Sequence, residues 1–213
     1  MHDDLVAAGF PADQVHVVPW GVDAVDARAD DISAVRDLYG LPSEFVLAVA
    51  TLEPRKNLRR LIEAHQPLTD VPPLVVAGPP GWGDVADDLR ALSQHVVFLG
   101  HIRGDHLRAL YAAANVLAYP SEEEGFGLPV LEAMAAGTPV VTSRGTATEE
   151  VAGGAAELVD PFDVDSIAHG ITSALNNAEQ LRAKGLDRAQ ECTWARSASA
   201  MMAVYQAVKE HNA

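Results

Sequence analysis

Cysteine is almost absent from this chain of 213 residues: Cys192 stands alone. No internal disulfide can form, which suits a reducing compartment, and Cys192 reads as a small helix residue. Long apolar runs are missing too. Although 48% of residues are apolar, no stretch reaches the length that a bilayer span needs, and no secretory signal pattern opens the sequence. Cations are scarce, 15 Lys and Arg against 30 Asp and Glu, for a net charge of −15. Such a surface repels nucleic acid and anionic lipid at long range. It repels anionic small molecules as well, so a site for one must gather its few cations locally. The eight histidines show no ligand spacing. His101 and His106 are five apart across a glycine and do not share a helical face, which argues against a metal site. Internal repeats and low-complexity tracts are absent. What remains is a globular chain, 21% charged, long enough for one large domain or two small ones.

Short apolar runs alternate with helical patterns. Strands are expected at 15–19, 45–50, 73–78, 96–99, 116–119, 139–142 and 156–159. Helices are expected at 57–66, 84–94, 105–114, 128–136 and 163–177, with two closing helices at 178–189 and 194–211. That alternation implies an α/β fold: a doubly wound, Rossmann-like parallel sheet of about six strands with right-handed crossovers. Residues 4–11 read as the tail of a helix and a turn. Trp194 and Tyr205 on the last helix read as packing residues.

One segment concentrates chemistry. In Ser121-Glu122-Glu123-Glu124-Gly125-Phe126-Gly127-Leu128-Pro129-Val130-Leu131-Glu132, seven residues separate Glu124 from Glu132. The glycines permit a tight turn and close approach of another molecule. Pro129 suits the first turn of a helix, and Gly137 with Pro139 stops that helix. Glu124 then lies in the loop and Glu132 about one turn into the helix. The amides of Phe126, Gly127 and Leu128 lie at the positive helix end, which binds phosphate. The loop follows a strand, and ligands of open α/β sheets bind at strand carboxyl ends. The plainer alternative is two solvated acidic charges, which is the reading for Glu122 and Glu123. Arg55 and Lys56 also sit between a strand and a helix, where cations oppose the helix dipole unless an anion joins them.

The stretch EGFGLPVLEAMAAGTPVV resembles the E-X7-E signature of retaining glycosyltransferases of the GT-B type, in the large family 4-like group that holds many mannosyl- and glucosyltransferases. Residues 50–58, 97–102 and 157–161 resemble the family's phosphate-binding loop, base-facing strand and a further signature, and the resemblance runs from about residue 15 to the end. It implies that Glu124 contacts hydroxyls of the transferred sugar and that Glu132 accepts from the ribose hydroxyls. Phe126, Gly127 and Leu128 would offer amides to the sugar or β-phosphate, while Lys56 and Arg55 neutralise the diphosphate. The family's usual arginine just after the strand is replaced here by Thr51 or Leu52, which leaves Arg55 as its substitute. Ile102 would line the base pocket, with core packing as the equal alternative. Gly78 opens a rigid loop, Gly78-Pro79-Pro80-Gly81-Trp82-Gly83, that would border the donor site, with a simple lid over the sheet edge as the equal alternative for Trp82.

The resemblance further implies a division into residues 1–20 (remnant of an amino-terminal domain, or linker), 21–190 (nucleotide-sugar-binding domain) and 191–213 (carboxyl-terminal helix). The acceptor, a sugar or a lipid-linked sugar, would be held by an amino-terminal domain that this chain lacks. The expected activity is retaining transfer of a hexose from a nucleoside diphosphate sugar to a hydroxyl, without metal or cofactor. GDP-mannose is the first expectation for the donor. The parent would be cytoplasmic and peripheral at the inner face of the membrane. Three readings compete. Glycoside hydrolysis needs two carboxylates across the scissile bond and no phosphate site. A sugar-nucleotide epimerase of the same fold needs acids from both domains. A binding module holds the nucleotide sugar without turnover.

Overall fold

In the computed structural model, which describes residues 2–81, 85–92 and 95–211, six short apolar runs form one sheet: β1 (Val46–Val49), β2 (Leu74–Ala77), β3 (Val97–Gly100), β4 (Val116–Tyr119), β5 (Val140–Ser143) and β6 (Glu157–Val159). Their order is β3-β2-β1-β4-β5-β6, and every neighbouring pair is parallel. The helices are α1 (His2–Ala7), α2 (Ala29–Tyr39), α3 (Leu58–His65), α4 (Val85–Leu92), α5 (Gly104–Ala113), α6 (Leu128–Ala135), α7 (Ala147–Ala152), α8 (Val164–Asn176), α9 (Ala178–Glu191) and α10 (Trp194–His211). The expected doubly wound α/β fold is therefore present.

Both faces of the sheet are covered, and the strand side chains alternate between two cores. Leu47, Val75, Leu117, Tyr119 and Val140 pack on the side of α2, α5, α6 and α9. Val46, Ala48, Val76, Val116, Ala118 and Val141 pack on the side of α3, α4 and α8. Burial on both sides is why these strands read as continuous apolar runs rather than alternating ones.

The order reverses between β1 and β4. The chain leaves β1 toward α3 on one face and leaves β4 toward α6 on the other. The loops after these two strands diverge at the carboxyl edge, and the gap between them is the crevice where open α/β sheets bind ligands.

Three expectations need correction. Residues 15–19 form no strand. The Val-His-Val-Val run has the propensity, but the sheet edges are β3 and β6, and Val17 is left exposed. The helices α2 and α7 lie outside the expected set although both carry end signals. Asp31 closes back on the Arg28 amide and Gly40 stops α2; Thr146 caps α7 and Gly153 stops it. Trp194 and Tyr205 are exposed on α10 rather than packed in the core. Trp82 and Gly83 lie outside the described residues.

Candidate active site

The loop after β1 makes a 3-10 turn over Pro54–Lys56 and then places Asn57 in the left-handed region at φ 57°. Asparagine tolerates that conformation better than most residues. Asn57 is buried, and its Nδ2 donates to the carbonyls of Pro120 at 2.9 Å and Pro161 at 2.6 Å, while its Oδ1 accepts from Arg60 at 2.9 Å. One side chain thus ties together the loops after β1, β4 and β6. The Glu122 amide donates to the Arg55 carbonyl at 2.9 Å, and the Glu122 carboxylate pairs with Arg60, so Glu122 is not simply a solvated charge.

This tie brings Lys56 to Glu124. Lys56 Nζ lies 2.5 Å from Glu124 Oε1, and the side chains are only 10% and 8% exposed. The Tyr119 hydroxyl, at the end of β4, donates to the same oxygen at 2.7 Å and accepts from Lys56 at 2.9 Å. Burial works to raise the Glu124 pKa. The hydrogen bonds from Lys56 and Tyr119, with the Lys56 charge, outweigh it and hold the carboxyl below its ordinary value. Burial, and next the hydrogen bond to Glu124, push the Tyr119 phenol far above its ordinary range, so it stays protonated. Arg55 stands at the exposed rim, 3.0 Å from Glu53 and 3.4 Å from Glu124.

Beyond Glu124, Gly127 adopts φ 98° and begins α6, with Pro129 in the first turn. A Cβ at Gly127 would lie 2.5 Å from the Thr148 methyl, so glycine is required by both backbone and space. Among the described residues, no backbone hydrogen bond uses the amides of Phe126, Gly127 or Leu128. Unpartnered amides at a helix start favour an anion.

Glu132 sits on the other side of α6. Its Oε2 accepts from the buried Tyr111 hydroxyl at 3.0 Å. No hydrogen bond or ion pair joins Glu124 and Glu132 among the described residues; each has its own tyrosine.

A groove of about 840 Å³ lined by Lys56, Tyr119, Glu124, Phe126, Gly127 and Leu128 runs along this edge, and two smaller clefts adjoin it. One of about 310 Å³ is lined by Thr51, Arg55, Lys56, Gly78, Ile102 and Tyr119. The other, about 440 Å³, is lined by Arg108, Tyr111, Leu128, Glu132 and Trp194. Leu107 lines both, so they adjoin. Ile102 is buried in the core and also lines the first cleft. Gly78 is forced by geometry, since at φ 153° a Cβ would sit 1.9 Å from the Ala50 carbonyl oxygen. The sequence-predicted residues are therefore gathered around the start of α6, with Lys56, Arg55 and Glu124 in mutual contact and Glu132 apart. No group of three metal-ligating side chains occurs among the described residues.

Residues 39–191 match the profile of the glycosyl transferases group 1 family. The chain belongs to that family. Among this glycosyltransferase domain's relatives is the O-antigen chain mannosyltransferase B of Escherichia coli, 40% identical over 163 residues that cover 70% of this chain and 42% of that protein. The serotype-specific mannosyltransferase WbdA of Escherichia coli is 33% identical over 82% of this chain and 23% of its own length. The chain spans less than half the length of these curated relatives. The sucrose-phosphate synthase of Thermosynechococcus elongatus superposes with a TM-score of 0.81 at 25% identity, over 99% of this chain and 57% of that one. The Anabaena HepE protein, solved with UDP and glucose, superposes with a TM-score of 0.83 at 22% identity, over 98% of this chain and 60% of that one. The fold shared with these two structures is GT-B, of which this chain has one Rossmann-like half.

Three side chains that shape the site have no clear signal in sequence: Tyr119, Tyr111 and Asn57. A tyrosine ending an otherwise aliphatic buried strand, and an asparagine just before a helix, are the only hints the sequence offers.

Proposed function

We propose that this chain binds a nucleoside diphosphate sugar and forms the donor half of a retaining hexosyltransferase, with transfer to a hydroxyl acceptor carried out by the longer parent. One observation carries the reading. At the reversal of strand order, the β1 and β4 loops bring a shielded lysine, a carboxylate and an open helix start to one cleft edge. Lys56 and the amides of Phe126–Leu128 suit the diphosphate, with Arg55 at the rim. Glu132, in the adjoining cleft, suits the ribose hydroxyls, and Glu124 suits the hydroxyls of the sugar. Gly78 and Ile102 border the space left for the base.

In that arrangement the protein stabilises charge developing on the diphosphate as the glycosidic bond breaks. The site needs no metal for this, because cations and a helix dipole supply the positive charge. The separate tyrosine partners of Glu124 and Glu132 disfavour an acid–base couple across one bond, and with it glycoside hydrolysis. The names of the two Escherichia coli relatives favour mannose, and with it GDP-mannose as donor. The HepE complex with UDP and glucose supports the ligand class. The acceptor, a sugar or lipid-linked sugar, would lie against an amino-terminal domain of the parent. The parent would be cytoplasmic, docked at the inner membrane face; no helix among the described residues is long and apolar enough to cross a membrane.

Calorimetry of this chain with GDP, UDP and ADP, and with the mannose and glucose donors, tests the reading. Binding of one nucleotide, tightened or kept by its sugar and weakened by Lys56→Ala and Glu132→Ala, is expected. No binding at millimolar concentration, or affinity indifferent to both substitutions, overturns it.

A further inference from the structure

Tyr119 ends β4 at the carboxyl edge of the sheet and is 3% exposed. Its ring belongs to the core beside α6. Its hydroxyl meets Glu124 and Lys56 at once, and Lys56 Nζ stands 5.3 Å from the ring centroid. A phenol has one proton to give. The Lys56 ammonium is a donor and occupies the lone-pair side, so the proton goes to Glu124.

Now consider a diphosphate arriving at the cleft. It competes for Lys56 and Arg55, which in the ligand-free chain both contact Glu124. Once these cations turn away, the carboxylate loses its charged partners. The buried Ser121 hydroxyl also faces Glu124, but without hydrogen-bond geometry. Tyr119 is then the donor still in place, its ring anchored in the core.

We propose that Tyr119 is a positioning residue of the donor site: its hydroxyl keeps the Glu124 carboxylate aimed into the cleft after Lys56 has turned to the diphosphate. The proposal rests on the nucleotide-sugar reading and deepens it. It explains why a buried tyrosine, rather than phenylalanine, ends this strand. It also gives Tyr119 an effect that depends on ligand: small for a bare nucleoside diphosphate, larger for one bearing a sugar, because only the sugar needs Glu124 in a fixed direction.

Tyr119→Phe keeps the ring and its packing and removes only the hydroxyl. With GDP and GDP-mannose, and with UDP and UDP-glucose, as paired probes, the sugar-bearing member of the pair that binds should lose about tenfold in affinity, the scale of one hydrogen bond to a charged group. Its bare nucleotide should change by much less. An equal loss for both members, or no loss, overturns the role of Tyr119. If the unaltered chain binds none of the four, the nucleotide-sugar reading falls and this proposal with it.

A second readout needs no ligand: the carbon-13 titration of the Glu124 carboxyl. Lys56, Arg55, Tyr119 and Ser121 face this group, and the groove that Glu124 lines also carries His2, His16, Glu150 and Arg188, so the signal must be the carboxyl's own. The midpoint should move up in Tyr119→Phe, because the hydrogen bond that favours the carboxylate is gone. An unmoved midpoint overturns the contact on which the proposal stands. In a Glu124→Gln background, Tyr119→Phe should cost little further sugar-dependent affinity, and a full additional loss contradicts action through Glu124.

Discussion

Glu124→Gln should tighten the binding of a bare nucleotide and reduce the affinity of its sugar derivative relative to it. In the ligand-free chain the Lys56 ammonium is committed to Glu124 at 2.5 Å, and both side chains are at least nine-tenths shielded. An incoming diphosphate must take Lys56 from that partner. Two unit charges about 4 Å apart at an effective dielectric of about 20 interact by on the order of 4 kcal/mol. Rehydration and the retained Tyr119 bond return part of this, which leaves the net scale of a hydrogen bond to a charged group, about 1.5–3 kcal/mol. Glutamine keeps the shape and an acceptor oxygen but removes the charge. GDP, or whichever bare nucleotide binds, should therefore bind the variant about tenfold more tightly, a gain near the lower end of that range. The nucleotide sugar should instead bind more weakly relative to the bare nucleotide, because the charged acceptor for its hydroxyls is lost. Calorimetry at neutral pH and constant ionic strength reads both. A fall in both affinities, or no change in the bare nucleotide's, refutes the competition between Glu124 and the diphosphate for Lys56.

Other consequences follow from single contacts. Asn57→Ala strands the buried carbonyls of Pro120 and Pro161 and leaves a non-glycine residue without its compensation at φ 57°; it should cost about 3 kcal/mol or more of stability in urea unfolding. Glu132→Ala should weaken every nucleotide and its sugar by the same factor, since Glu132 lies away from Glu124, and a sugar-dependent loss would contradict the ribose assignment. His65 is half-buried, and its Nε2 donates to the Pro72 carbonyl at 2.8 Å. Burial, opposed by that carbonyl, lowers its pKa from the ordinary 6.5. The unfolded chain then binds the proton more readily, so stability is complete above 6.5 and declines as pH falls below it. Denaturation midpoints should drop between neutral pH and about pH 5, and His65→Gln should reduce that drop.

The sheet was legible because each strand is a largely apolar run between turn residues, and the four central strands are buried on both faces. The run at 15–19 misleads for the same reason: it has strand composition, but the sheet offers it no partner. The helices α2 and α7 are short on apolar periodicity, and their caps are visible only when sought. At the site, local signals worked. Gly127 and Pro129 mark the start of α6, and the E-X7-E spacing puts the glutamates on either side of it. Long-range partners were not legible. Lys56 and Glu124 are 68 positions apart in sequence, and Tyr119 and Tyr111 read as core residues because their rings are core. Only the fold shows that their hydroxyls reach the carboxylates.

The central claim is that a nucleotide sugar lies along the start of α6, from Glu124 to Glu132. The most direct measurement is an amide chemical-shift titration of this chain with GDP-mannose, and with UDP-glucose in parallel. Binding at this site requires the largest changes at Phe126–Leu128, in the Thr51–Asn57 loop, at Gly78 and near Ile102, with the opposite sheet edge unmoved. Saturable shifts clustered elsewhere, or none with either donor at millimolar concentration, would contradict it.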